Sequence, residues 1–380
     1  MREIPGEFEV ERYELREGPA YTFVPDRRDF FKVLGGGLVV ALVLNAQESG
    51  GGRRGGRGGA MPRELGAWIH IDESGGIMVY SGKTEVGQNV RTSLTLAVAE
   101  ELRVDPARVE LVLADTDRVP YDAGTFGSQS TPQMAPQMRK VAAAAREMLV
   151  DLAAQKWNVS RETVRVENGQ VHATGKSVSF GELTRGQKMT RAIEVDAKAG
   201  PPQGKDLLKV NARDMVTGKH RFTTDVRREG MWYGRVLRPA AFNAKLASVN
   251  TDAAARMDGV AVVHDGNFVA VACADPGKLG DACAAIQADW KSEPQISALE
   301  LFSHLRPAPA KDPPPLVGDA KVEATYTIAY IAHVPLEPRA AVAEWAGDKL
   351  TVWTGTQRPF GVRSELAKGT VFRISIEPTP

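Results

Sequence analysis

Between Ala67 and Trp157 the spacing of apolar residues switches between a period of two and a period near four, and that alternation restricts the fold more than any other feature. "AWIHID" and "GIMVYS" alternate on either side of Glu73-Ser74-Gly75-Gly76, which predicts two strands joined by a glycine-rich hairpin turn. From Arg91 the period lengthens. Leu94, Val98 and Leu102 recur every fourth residue with Ala97 beside them, the pattern of an amphipathic helix. "VELVLAD" (Val109 to Asp115) returns to a strand. Met134, Met138, Val141, Ala145, Met148 and Leu152 then mark one stripe on a long helix, a pattern of core packing. Thr131 suits its N-cap and Pro132 its first turn, and Pro136 still lies near enough to the start to be tolerated. The first unit reads β-β-α-β.

Further along, "VRVENGQVHA" predicts a hairpin turning at Asn168-Gly169. "AKAGPPQGKD" (Ala197 to Asp206) breaks the pattern and marks a boundary. A second unit follows to about Trp290, with strands near "MWYGRVLR", "GVAVVHD" and "FVAVACA". A helix is expected from Gly277 to Trp290, with Leu279, Cys283 and Ile286 inward. "RPAPAKDPPPLVGD" (Arg306 to Asp319) reads as a linker, because its prolines remove donors and extend the backbone. Strands are expected in "KVEATYTIAYIAH", "AAVAEWAG" and "KLTVWTGTQ". At 380 residues the chain can hold two or three domains with cores of their own. A net charge of +1 gives no sign of a nucleic-acid or membrane-surface binder. Two cysteines, Cys273 and Cys283, cannot hold a four-thiolate iron–sulfur cluster within the chain and are expected as separate buried thiols. Six histidines stand singly, without metal-ligand spacing, so no protein-ligated metal is expected.

The amino terminus reads as an address. Arg27-Arg28 precede Phe30, Phe31 and Lys32, and an apolar run from Val33 to Leu44 follows. That run suits a signal h-region better than a membrane span, which needs about 20 apolar residues. The cluster resembles a twin-arginine export signal, with Ala46 as a possible cleavage point and a short uncleaved membrane anchor as the alternative. Residues 1–47 are thus expected to be a signal and the protein periplasmic, or membrane-associated if anchored. Residues 48–64 form a Gly/Arg-rich tether.

Two strand-to-helix junctions carry the candidate chemistry. Gly82-Lys83-Thr84 imitates the end of a phosphate loop, but the first glycine of that motif would fall on Ile77, so the pattern fails. Gly87-Gln88-Asn89 fits better. Helix-start N–H groups lack intrahelical partners, and the Gln88 amide both donates and accepts, which suits a heterocycle. "GTFGSQST" (Gly124 to Thr131) supplies glycines, hydroxyls and a second helix start. Two such starts could cradle one large anionic cofactor, each dipole contributing roughly 0.3–1 kcal/mol; ordinary helix starts with no ligand are the plainer alternative.

These stretches, in order, resemble a known family. "GKTEVGQNVRTSLTLAVAEEL" resembles the glutamine loop and helix of the molybdopterin-binding large subunit of the xanthine dehydrogenase family, with Asn89 where glycine is common. "DAGTFGSQST" resembles its Gly/Ser-rich cofactor loop. Val216 to Val263 resembles its α/β hammerhead domain, and "AHVPLEPRAAVAEW" and "LTVWTGTQRPFGVRSELA" resemble the strands leading to the metal. With the twin-arginine segment, the likeness narrows to the branch of the isoquinoline 1-oxidoreductase large (beta) chain and spans most of residues 66–367. It implies an α+β, multi-domain fold, with a molybdopterin-binding module over 65–200, a hammerhead domain over 206–295 and the start of the main molybdopterin-binding domain over 320–380. It implies molybdenum held by molybdopterin cytosine dinucleotide, and oxidation of a small N-heterocycle or aldehyde with oxygen from water. Electrons would leave to an iron–sulfur small subunit. By motif position Val86, Gly87 and Gln88 would meet the pterin side, and Gly124, Thr125, Phe126, Gly127, Ser128, Gln129, Ser130 and Thr131 would hold more of the cofactor. Gln357 would hydrogen-bond an oxo ligand of the metal, against the alternative of a strand-end glutamine facing solvent. Glu337 reads as structural, paired with Arg339 or a backbone amide, and His333 as packed.

The family pattern continues with a glycine-rich loop and, much later, a Gly-Glu pair whose glutamate is the catalytic base. Neither has a counterpart after Lys368. The expectation is a large-subunit fragment, inactive alone: either a truncated or frameshifted reading frame, or a split subunit completed by a carboxy-terminal complementing chain. The alternative is a non-catalytic degenerate fragment or subunit-interaction protein.

Overall fold

The computed structural model describes residues 36–44, 64–193, 208–305, 318–320, 322, 324, 326–328, 331–369 and 373–377. The boundary at 197–206 and most of the 306–319 linker lie outside these. The described residues form two compact units, those up to Val226 together with those from Pro335 on, and those from Arg227 to Val334.

The first unit is organised by a mixed sheet built from β1 (Gly37–Leu44), β2 (Glu64–Asp72), β3 (Ile77–Ser81), β4 (Val109–Leu113) and β8 (Lys188–Ile193), in the order β4-β3-β2-β1-β8. β2 and β3 form the expected hairpin, with the Asp72 carboxylate accepting the N–H of Ser74 and Gly76 across the turn. α1 (Val90–Leu102) and α2 (Ser130–Trp157) cover one face. Leu38, Val40, Ile69, Ile71, Leu94, Val98, Met138 and Leu149 meet there in one core. Val39, Ala41, Trp68, Tyr80, Val119 and Phe360 form a second core on the opposite face, where the Trp68 and Tyr80 rings stack at 3.7 Å. α2 starts at Ser130, so Thr131 lies inside the helix and is not its N-cap. Glu101, buried on α1, accepts from Arg139 at 3.0 Å and Arg146 at 2.9 Å on α2, so the helix pair holds no unpaired buried charge there. β5 (Arg165–Glu167), β6 (Gln170–Ala173) and β7 (Lys176–Ser179) make a small sheet beside them, and the short helix α3 (Phe180–Thr184) follows.

The apolar run expected as a signal h-region takes a different role in the structure. Gly37–Leu44 is β1, antiparallel to β2 along its whole length and parallel to β8. Leu38 and Val40 enter one core and Val39 and Ala41 the other. A strand buried on both faces reads as a continuous apolar run, and periodicity alone does not separate it from an export segment.

The second unit carries β9 (Tyr233–Val236), β11 (Val260–Asp265) and β12 (Phe268–Cys273) in one sheet, and β10 (Lys245–Asn250) paired with β13 (Gln287–Lys291). The helix expected from Gly277 to Trp290 is shorter. α4 spans Leu279–Ala284, and the chain then turns into β13 with Ala288 and Trp290 on its less exposed side. Cys273 is buried and Cys283 half-buried, and both are free thiols. Among the described residues, "KVEATYTIAYIAH" forms no strand, and Val322, Tyr326, Ile328 and Ile331 are exposed.

The chain returns to the first unit with β14 (Ala341–Ala346), β15 (Lys349–Thr354), α5 (Pro359–Gly369) and β16 (Arg373–Glu377). Phe360 of α5 joins the second core, and Arg363 donates to the Thr116 carbonyl at 2.8 Å.

Two outcomes follow from β1 and β2. Leu38→Ala should lower stability by about 2–5 kcal/mol in urea unfolding, whereas a leader outside the fold would give no change. His70 of β2 is fully buried, with Nε2 3.2 Å from the Gly36 carbonyl and Nδ1 unpartnered. Burial lowers its pKa, so the unfolded chain binds the proton more readily than the folded one. Stability should therefore fall as pH drops below ~6.5, and His70→Gln should flatten that slope of the urea midpoint against pH.

Candidate functional site

β3 and β4 are parallel neighbours, so the segments leaving their carboxyl ends emerge along one edge of the sheet. That edge is where open sheets with helices bind ligands. Residues 82–89 leave β3 for α1, and residues 114–129 leave β4 for α2. The two loops touch closely. At Gly82 a side-chain carbon would lie 2.4 Å from Asp122 Cβ and 2.7 Å from the Pro120 carbonyl, so only glycine fits.

A buried ion pair fastens them. Lys83 Nζ donates to Asp122 Oδ1 and to the Gly124 carbonyl, both at 2.9 Å. The Asp122 carboxylate also accepts the Gly124 N–H at 2.9 Å. Burial pushes the Asp122 pKa up, and the Lys83 charge opposes that rise. With Nζ committed this way, Gly82-Lys83-Thr84 does not present a phosphate-binding lysine. The Thr84 N–H donates to Thr125 Oγ1 at 2.8 Å, a second tie between the loops.

The third segment arrives from β15. Thr125 N–H donates to the Gln357 carbonyl, and Gln357 Nε2 donates to the Thr125 carbonyl, each at 2.8 Å. The structure thus brings Gln357 onto the Gly124–Thr131 loop, half-buried and not turned to solvent as a free strand end would be. Ser93 of α1 and Thr131 of α2 share a hydrogen bond of 2.9 Å between hydroxyls, so the two helix starts are neighbours.

The starts are not equivalent, however. At α1 the Glu85 carboxylate takes the N–H groups of Gly87, Asn89 and Arg91, so that start is filled by a side chain. The Gln88 amide is folded back, donating to the Thr84 carbonyl at 2.9 Å and accepting from Val86 N at 2.7 Å. At α2 no side chain caps the start, and Gly127, Ser128, Gln129 and Thr131 are exposed; Gly124, Thr125 and Ser130 are buried and Phe126 half-buried. Asn89 stands at φ 68°, a left-handed conformation that glycine adopts freely and asparagine tolerates. That accounts for its replacing the glycine of the resembled motif.

A cleft of about 50 Å³ lies between Thr84–Val86 and Thr354–Thr356, with Arg91 and Glu337 on its walls. Glu337 is half-buried there and makes no ion pair with Arg339 among the described residues, and His333 is exposed rather than packed. Thr84 is 7% exposed, and its Oγ1 has no hydrogen-bond partner. A buried hydroxyl without a partner is costly, so a polar ligand edge meeting it fits the chemistry of the site. The cleft is far smaller than the ~300–1,000 Å³ of enclosing ligand pockets. The described residues therefore form an open edge and not an enclosing pocket. Among them no group of three or more His, Cys, Asp or Glu is placed to hold a metal ion.

Against this geometry the comparisons are decisive. A family model described as a molybdopterin cofactor-binding domain matches residues 34–272, and a second of the same description matches 316–375. This chain belongs to the molybdopterin cofactor-binding family of xanthine dehydrogenase type. The first match takes in β1. Among the relatives, a subunit of nicotinate dehydrogenase from Pseudomonas putida is 30% identical over 335 aligned residues, covering 80% of this chain and 28% of that one. The beta subunit of isoquinoline 1-oxidoreductase from Brevundimonas diminuta is 24% identical, covering 77% and 46%. The aldehyde oxidoreductase molybdenum-binding subunit of Escherichia coli is 29% identical, covering 43% and 29%. The chain spans less than half the length of each of these relatives.

Lys83, Glu85, Thr84 and Asp122 were not singled out by motif reading for these roles. Lys83 was conspicuous in sequence only as a failed phosphate-loop lysine, and its partner lies 39 residues away. Lys83→Met should cost about 3–5 kcal/mol in chemical unfolding by stranding the Asp122 carboxylate, and adding Asp122→Leu should recover most of that loss.

Proposed function

We propose that this chain is the cofactor-gripping part of the large subunit of a molybdenum hydroxylase that oxidises N-heterocycles or aldehydes. The observation that carries the reading is the convergence of three segments, Thr84–Gln88, Gly124–Thr131 and Gln357, on one sheet edge beside the unpartnered Thr84 hydroxyl. Molybdopterin, bound in its cytosine dinucleotide form, would supply two-electron oxidation with oxygen from water. Val86, Gly87 and Gln88 would border the pterin end. The uncapped α2 start, with Ser128, Ser130 and Thr131, offers N–H and hydroxyl donors to the phosphates. Gln357 would orient the metal end through its side-chain amide.

The names of the relatives support the substrate class, since they act on nicotinate, isoquinoline and aldehydes. Several are subunits of larger assemblies, which supports partner subunits; an iron–sulfur small subunit is proposed as the electron acceptor. Export through the twin-arginine route is proposed from Arg27-Arg28. Because Gly37–Leu44 is a core strand, the exported protein would keep these residues.

Co-production with an iron–sulfur partner and a carboxy-terminal complement, in cells that make the dinucleotide cofactor, should give about one molybdenum per chain by elemental analysis. A soluble, folded complex free of molybdenum and pterin would refute the reading.

A further inference from the structure

The start of α1 shows how the glutamine loop is kept in shape. Glu85 Oε1 accepts from Gly87 N at 2.8 Å and from Asn89 N at 3.0 Å, and Oε2 accepts from Arg91 N at 3.0 Å. Gly87 (φ 96°) and Asn89 (φ 68°) both take left-handed backbone, which folds the chain around that carboxylate. Successive N–H groups aimed at one point form a seat for an anion, and here the protein's own side chain sits in it. Gln88 closes the other side of the turn through Thr84 and Val86. Every one of these bonds lies within residues 84–91, yet they leave out Thr84 Oγ1, which is buried, unpartnered and on the wall of the cleft that Glu85 also lines.

We propose that Glu85 is the positioning residue of the cofactor loop. Its carboxylate satisfies the first N–H groups of α1 from within, so that start takes no part of an anionic ligand. The loop is thereby held in the one conformation that presents the Thr84 hydroxyl to a polar, uncharged ligand edge. Charge strengthens this arrangement in both directions. The helix dipole favours the carboxylate where it sits, and the carboxylate repels a second anion from the same place. The identity of the ligand rests on the proposed molybdopterin reading; the geometry of the loop does not.

The test is amide hydrogen exchange on the full chain, wild type, Glu85→Ala and Glu85→Gln, each with and without millimolar inorganic phosphate. In Glu85→Ala the amides of Gly87, Asn89 and Arg91 should exchange at least about tenfold faster, with β3 unchanged. Phosphate should slow them again in that variant only. Glu85→Gln should be intermediate, because one carbonyl oxygen can keep the two bonds of Oε1 while its amide group faces the N–H of Arg91. Unchanged exchange in Glu85→Ala, an equal rise across the sheet, or phosphate protection already in the wild type would overturn the proposal. In the co-production system Glu85→Ala should retain at least about tenfold less molybdenum than wild type, and equal loading would also count against it. A wild type that takes up no molybdenum sinks the proposed function, while the exchange pattern still decides the role of Glu85.

Discussion

The candidate site depends on one buried ion pair. Lys83 and Asp122 come from different loops, and each is almost fully removed from water. Two such charges are tolerable only because they face each other and because Gly124 satisfies both, its carbonyl taking a Lys83 proton and its N–H reaching Asp122. The same contact brings residues 82–84 against residues 120–125, and from there Thr125 reaches Gln357. Without the pair, residues 82–84 and 120–125 would be joined only by neutral hydrogen bonds, while β15 and α5 would still be tied to the second loop through Lys349 and Arg363 on Asp117. The absence of a side chain at Gly82 is what lets the charges come so near.

The pair can be buried because the sheet behind it is covered on both faces. β1 supplies alternate side chains to two cores, and α1 and α2 close one of them while Phe360 and Val119 help close the other. A sheet so enclosed excludes water from the carboxyl ends of β3 and β4, and charges there interact more strongly than they would at the surface. β1 thus links an amino-terminal segment that resembles an address to the electrostatics of the proposed cofactor edge.

Much of this was legible in the sequence. The fourfold spacing of Leu94, Val98 and Leu102 and the methionine stripe of α2 place those residues inward, and the structure buries them. The β2–β3 turn follows from Ser-Gly-Gly after an acidic pair. Two stretches take a form in the structure that the sequence left open or read otherwise, for identifiable reasons. A short apolar run without charges serves equally as a signal or as a central strand, because both demand hydrophobicity and neither demands a period. Residues 277–290 carry apolar residues at spacings compatible with helix, but pairing with β10 draws Gln287–Lys291 into a strand. Tertiary context of that kind overrides local propensity.

Residue order alone sets the local elements, the glycine positions that permit close approach, and the succession of motifs that marks the molybdopterin-binding family. Those properties depend on neighbours within a few residues, where spacing and side-chain type suffice. The assembled fold was needed to settle which loop charge pairs with which, that Glu85 rather than a ligand fills the start of α1, and that Thr84 keeps a hydroxyl to offer. Such choices depend on which groups are desolvated together, and desolvation is a property of the whole edge, to which residues far apart in the chain contribute.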